Sequence, residues 1–91
     1  MTRKGEFVLR QLGDEYVLIP YGETTEKMNQ VITLSETAAF IYQQTEDAAS
    51  PGEIAQRVGK VYDVPAEEVQ EDVDAVLDTL CKYGVLELEN Q

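Results

Sequence analysis

The chain has 91 residues, with 18 Asp and Glu against 7 Lys and Arg, no histidine, and a formal net charge of -11 at pH 7. Such a surplus repels phosphate backbones and anionic membranes, and the missing histidine removes the commonest general base. With 43% hydrophobic residues, the expectation is a single globular domain over residues 1–91, too short to divide into two cores.

In chain order, "EFVLRQL" and "YVLIP" are separated by "GDE", where Gly13 and Asp14 supply turn chemistry, so a β-hairpin is expected. The second strand is apolar throughout, as in a strand flanked on both sides, and Pro20 ends it. "YGETTEKMN", residues 21–29, has no apolar period and is expected to be a loop. A third strand, residues 30–34, then pairs with the second in a meander, leaving the first and third strands as edges. Thr33 to Glu36 has Thr-x-x-Glu spacing, expected to form a capping box that starts the first long helix, which runs to about Thr45. Ser50 to Glu53 forms a second box with proline at the first helical position, opening a helix to about Tyr62.

Asp63 and Pro65 break the chain before "AEEVQEDVDAVLDTLCKYG", where Val69, Val73, Val76, Leu77 and Leu80 recur at steps of three and four. Gly84 sits where a left-handed C-cap belongs, and "VLEL", residues 85–88, is a short tail strand or a hydrophobic clip. Three strands followed by three helices give an α+β chain with the outline of a winged helix-turn-helix: a three-stranded antiparallel sheet, then three helices.

Little in the chain fits catalysis. Cys81, the single cysteine, lies beside the core stripe of the last helix and reads as a packed small hydrophobe, not a nucleophile. Glu67, Glu68, Glu71, Asp72, Asp74 and Asp78 fall largely on that helix's polar side and read as a solvated face. No phosphate loop, zinc spacing or calcium loop is present, so no enzyme, no cofactor and no metal are expected. Nothing approaches the ~20 apolar residues of a membrane span, and "MTRKGEF" leads into no signal core, so the expected location is cytoplasmic with no membrane partner. The helix-turn-helix outline raises a DNA-binding regulator as one alternative. From Asp63 to Glu89, however, there are nine acidic residues and one basic residue, Lys82. A recognition helix of that charge is repelled from a major groove, so no nucleic-acid partner is expected.

The third strand is the unusual element. Residues 30–34 contain no charge, proline or glycine, the usual devices that blunt a sheet edge. They could template an incoming strand, be covered by the tail "VLEL", or pair with a second copy in a self-associating subunit.

"FVLRQLGDEYVLIP", "VITLSETAAFIY" and "EIAQRVGKVYDVPAEEVQEDVDAVLDTLCKYGVLE" together resemble the PqqD-like family, named for pyrroloquinoline-quinone synthesis protein D. The resemblance covers nearly the whole chain through the order and spacing of its blocks. It implies a winged helix-turn-helix that recognises ribosomally made precursor peptides and does no chemistry itself. The leader segment would add as a strand at Asn29, Gln30, Val31, Ile32, Thr33 and Leu34. Val73, Val76, Leu77 and Leu80 of the last helix would supply an apolar wall, some of them facing the core instead. The implied partners are that leader peptide and a separate modifying enzyme, a radical S-adenosylmethionine protein being the expectation, with this chain a monomer or weak dimer. The family often has asparagine, tryptophan and glycine where Ser35, Tyr42 and Gln30 stand here. Serine still caps a helix and tyrosine still fills an aromatic slot, so these departures bear on which ligand fits, through Gln30, more than on the fold.

Overall fold

The computed structural model describes residues 1–88. In chain order they form β1 (Thr2–Arg3), β2 (Phe7–Leu12), β3 (Glu15–Pro20), α1 (Thr24–Lys27), β4 (Ile32–Leu34), α2 (Glu36–Gln44), α3 (Pro51–Tyr62), α4 (Ala66–Lys82) and β5 (Leu86–Glu87). β2, β3 and β4 make an antiparallel sheet in that order, and α2, α3 and α4 follow it, as a winged helix-turn-helix requires. Two features depart from the expected outline. The stretch read as an irregular loop contains the one-turn helix α1, and β1 pairs with β5 in a separate two-stranded ribbon.

The hairpin closes at Leu12 and Glu15, with Gly13 at φ 62. A two-residue connection needs a positive φ at its first central residue or at both, which glycine supplies without steric cost. Beyond the other end of β2, the Tyr21 N–H donates to the Glu6 carbonyl at 3.0 Å. This bond sets the alternation along the sheet. Counting inward from it, Val17 and Ile19 direct their N–H and C=O groups toward β2, and Tyr16, Leu18 and Pro20 direct theirs toward β4.

That alternation explains why the third strand is shorter than expected. The β3–β4 register pairs Tyr16 with Leu34, Val17 with Thr33 and Leu18 with Ile32. Continued by two residues, it would set Gln30 against Pro20, whose ring nitrogen carries no hydrogen. The ladder therefore stops at Ile32, and Asn29, Gln30 and Val31 lie outside the regular strand. Pro20 ends two strands, its own and its neighbour's.

The helices begin and end on local chemistry. Ser35, not Thr33, caps α2: its Oγ accepts the Ala38 N–H at 3.1 Å. The expected Thr-x-x-Glu box fails because Thr33 is still in the sheet, opposite Val17. At α3 the Ser50 Oγ accepts the Glu53 N–H at 3.2 Å, while the Glu53 carboxylate reaches back one residue further than a capping box prescribes, to the Ala49 N–H at 3.1 Å. Asp63 ends α3 in the left-handed region at φ 60. α4 ends in a Schellman turn: the N–H of Val85 donates to Leu80 and that of Gly84, at φ 79, donates to Cys81, both at 3.0 Å.

One core joins these elements. Leu18 of β3, Ile41 of α2, Ile54 of α3, Val73, Leu77 and Leu80 of α4, and Val85 after the Schellman turn are its largest fully buried side chains. Val17 and Leu18 are both buried although they point to opposite faces, as the apolar run in the second strand implied for a strand flanked on both sides.

β1 and β5 are clasped to this body. The Arg3 guanidinium donates to the Tyr42 carbonyl at 2.8 Å and the Thr45 hydroxyl at 3.0 Å, pairs with Glu46 at 3.3 Å and stacks 4.3 Å above the Tyr42 ring. A cation at the end of α2 meets the negative end of the helix dipole and the π face of the ring together. Burial pushes the Tyr42 hydroxyl pKa above its ordinary value, with Arg3 opposing the shift. The tail read as "VLEL" is used here: Leu86 is buried and β5 lies on β1, so the tail does not cover β4.

Candidate functional site

β4 is an edge strand, and no described residue pairs with its outer side. By the alternation set above, Ile32 and Leu34 direct their backbone groups toward β3, and Thr33 directs its N–H and C=O to the open edge. The side chains obey the same period. Ile32 and Leu34 are buried, 4% and 7% exposed, while Thr33 is exposed on the opposite face. Asn29, Gln30 and Val31 are exposed beside the edge, in the approach to it.

α4 lies next to this edge and leaves a groove. A cavity of about 240 Å³ is lined on one side by Thr33, Leu34, Ser35 and Ala38, and on the other by Ala75, Val76, Thr79 and Leu80. Its floor is apolar, from Leu34, Ala38, Val76 and Leu80. Small residues make the space: alanine at 38 and 75, and serine at the α2 cap, keep the walls apart.

The last helix's stripe divides here. Val73 and Leu77 are fully buried in the core and are absent from the groove wall. Val76, half-buried, faces the groove, and Leu80 borders it from below while remaining fully buried with the core. Ser35, expected only as a helix cap, and Ala38, Ala75 and Thr79, not expected at a site, also line the groove. The signal available for them was Ala75 and Thr79, one turn apart on the flank of the apolar stripe, where small side chains interrupt a run of acids.

The groove's electrostatics are one-sided. Its strand wall, from Asn29 to Ser35, carries no charge. Along α4, Glu67, Glu68, Glu71, Asp72, Asp74 and Asp78 are all exposed, and the only cation is Lys82, 3.4 Å from Asp78. Thus the expected solvated acidic face is present, on a helix one flank of which forms the groove.

Elsewhere the surface offers less. A wider depression of about 840 Å³ runs over α3 and the turn before α4, and includes Arg57. That guanidinium is already engaged by Asp47 at 2.8 Å, by Gln44 at 2.9 Å and by Glu53. Arg57 hydrogen bonding holds the Asp47 carboxyl below its ordinary pKa. The Glu53 carboxyl is held down first by the Ala49 N–H and then by Arg57. Among the described residues, no three of His, Cys, Asp and Glu are placed to hold a metal ion, and no helix is long and apolar enough to cross a membrane.

No curated protein matches this chain by sequence. Among solved structures, the chain is similar to TbiB1, determined in complex with the TbiA(beta) leader peptide, with a TM-score of 0.74 and 22% identity over 100% of both chains. At that identity the likeness establishes the fold. The model of the family described as coenzyme PQQ synthesis protein D (PqqD) matches residues 15–86, from the start of β3 into β5, and the chain belongs to that family.

Proposed function

We propose that this protein binds the leader segment of a ribosomally made precursor peptide by strand addition to β4, and presents it to a separate modifying enzyme. The observation that carries the reading is the pairing of an open, uncharged edge at Thr33 with an apolar groove between β4 and α4. Strand addition draws affinity from main-chain bonds and specificity from pockets for alternate side chains, and the edge and groove are suited to each. Membership of the PqqD family supports the same reading, as does a fold shared with a protein solved holding a leader peptide.

In this reading Thr33 and the irregular segment Asn29–Val31 meet the ligand's backbone, Ile32 and Leu34 anchor the strand from beneath, and Val76 meets its side chains over a floor closed by Leu80. Val73 and Leu77 keep α4 in place. The protein does no chemistry of its own and needs no cofactor. Tethering the leader raises the local concentration of the attached segment near the enzyme, up to about the millimolar range for short flexible links. By family resemblance the enzyme is a radical S-adenosylmethionine protein, and the complex works in the cytoplasm with this chain as a monomer or weak dimer. Residues 1–91 act as a single recognition domain.

Two rival readings have less behind them. A DNA-binding role requires α4 to approach phosphates with six carboxylates and one ammonium. Self-pairing through β4 would rest on the one outward-facing residue of a three-residue strand. Fluorescence anisotropy with the leader and core halves of a candidate precursor peptide tests the proposal: the leader binds and the core half does not. Equal binding of both halves, or of neither, contradicts it.

A further inference from the structure

The geometry of the groove specifies its ligand more narrowly than as an extended peptide. In an antiparallel or parallel pair, residues directly opposite share a face, and neighbours alternate. The ligand residue opposite Thr33 therefore lies on the open face of the sheet. The residues on either side of it point to the helix side, opposite Ile32 and Leu34, onto the apolar floor of Val76 and Leu80. A cavity of about 240 Å³ is filled by two modest aliphatic side chains. The next ligand side chain on the helix side, two positions further, passes beyond that floor.

What it meets there is set by α4. Residues three and four apart share a helix flank, so Val76 is preceded on its flank by Asp72, and Asp72 by Glu68. Both are exposed, and neither forms an ion pair among the described residues. The strand wall opposite is uncharged, so nothing within the groove neutralises them. The other end of the flank leads toward Lys82, which is paired with Asp78, and Tyr83. Near Tyr83 the charges are of both signs, Lys4 and Lys27 beside Glu6, Glu23 and Glu26, so the unpaired, purely acidic end is the one at Asp72 and Glu68.

We infer that the ligand of this groove is a strand of the pattern apolar-x-apolar-x-basic, read in one chain direction, with the basic residue over Asp72 and Glu68 at the N-terminal end of α4. This rests on the strand-addition reading and adds the ligand's charge and polarity to it. A lysine or arginine suits the place because its methylene stem extends the apolar contact while its head reaches the carboxylates. The pair is solvent-exposed, so its contribution weakens as salt is added.

The test uses the intact protein and blocked synthetic decapeptides of alternating valine and threonine, with two lysines at the N-terminal end, at the C-terminal end, or replaced by two glutamates. One of the two lysine peptides binds at least ten-fold tighter than its glutamate counterpart at low salt, and the ratio shrinks at high salt. In E68Q/D72N that ratio collapses. In E23Q/E26Q, which changes net charge equally on α1 and just before it, the ratio is kept. Equal affinities for lysine and glutamate peptides, or equal loss in both double variants, overturn the inference and leave strand addition standing if the Thr33 amide resonance still shifts on binding. Absence of any Thr33 shift with every peptide overturns both.

Discussion

Thr33 lies directly opposite Val17 in the β3–β4 ladder, in the type of pair that makes no bond between its two members. Its N–H and C=O point away from the sheet, at an edge that adjoins a groove along α4. The two neighbours of Thr33 hold β4 to β3, so the backbone groups left open to an added strand and those that hold β4 in the sheet lie on alternate residues.

That separation makes Thr33 substitutions informative. Thr33→Pro removes an outward N–H that the fold does not use, and Ile32 already has the extended conformation a residue before proline prefers. Leader affinity should fall about ten-fold or more, the equivalent of about 1.4 kcal/mol, while the denaturation midpoint changes little. Thr33→Val keeps the N–H and should leave affinity within about two-fold. Isothermal titration calorimetry beside urea denaturation separates the two effects.

Adjacent residues on α4 should behave oppositely. Leu77→Ala empties a fully buried site and should cost about 2–5 kcal/mol of stability. Val76→Ala, half-buried on the groove wall, should cost under about 1.5 kcal/mol of stability yet weaken leader binding. Chemical denaturation and peptide titration of the same two proteins check both halves of this contrast.

Gly59 is buried where α3 meets the turn into α4. A Cβ there would come within 2.5 Å of the Val64 carbonyl oxygen and 3.3 Å of the Ala66 nitrogen. Helix propensity alone favours alanine over glycine by about 1 kcal/mol, but backbone atoms cannot rotate aside as a side-chain tip can. Gly59→Ala should therefore destabilise the protein by about 1–3 kcal/mol, read as a lower urea midpoint. An unchanged or raised midpoint would show that the α3–α4 turn yields easily.

The Arg57 cluster predicts a pH dependence. Asp47 and Glu53 titrate in the folded protein below their ordinary values of 3.8 and 4.5. Between the depressed and ordinary values the unfolded chain binds more protons, so stability rises with pH there. The contribution is complete above the ordinary carboxylate range and is lost as pH falls through the depressed folded values. Arg57→Gln removes the main cause at Asp47 and the lesser one at Glu53, whose bond from Ala49 remains. The stability gap between wild type and R57Q should thus be widest near neutral pH and close as pH falls through the depressed folded values. Urea midpoints measured across that range test it, and a gap independent of pH would assign the loss to packing.

How far the residues announced this structure depends on the range of the interactions involved. The hairpin, α3 and α4 rest on signals a few residues apart: Gly13, the Ser50 cap, the stripe of Val69 to Leu80, and the Gly84 turn. The acidic face of α4 was legible for the same reason. β1 was not, because "TR" has no period and its partner β5 lies at the far end of the chain. Arg3 therefore gave no sign of its place on Tyr42. The early end of β4 was misjudged because the limit comes from Pro20 on a neighbouring strand, and the α2 cap moved from Thr33 to Ser35 for the related reason that the sheet claims Thr33 first. Within the groove, periodicity marked Val73, Val76, Leu77 and Leu80 as one stripe. Only the packing of α4 against both core and edge divides them.

In the proposed complex a leader strand adds at Thr33 and lies against Val76. The most direct measurement is a ¹H–¹⁵N NMR titration of the intact protein with the leader of a candidate precursor peptide. Strand addition requires the Thr33 amide to move downfield and gain protection from exchange, accompanied by Val31, Ala75, Val76 and Thr79, while the buried Val73 and Leu77 move little. Perturbations confined to α3 or to the β1–β5 ribbon, with Thr33 unmoved at saturation, would contradict it.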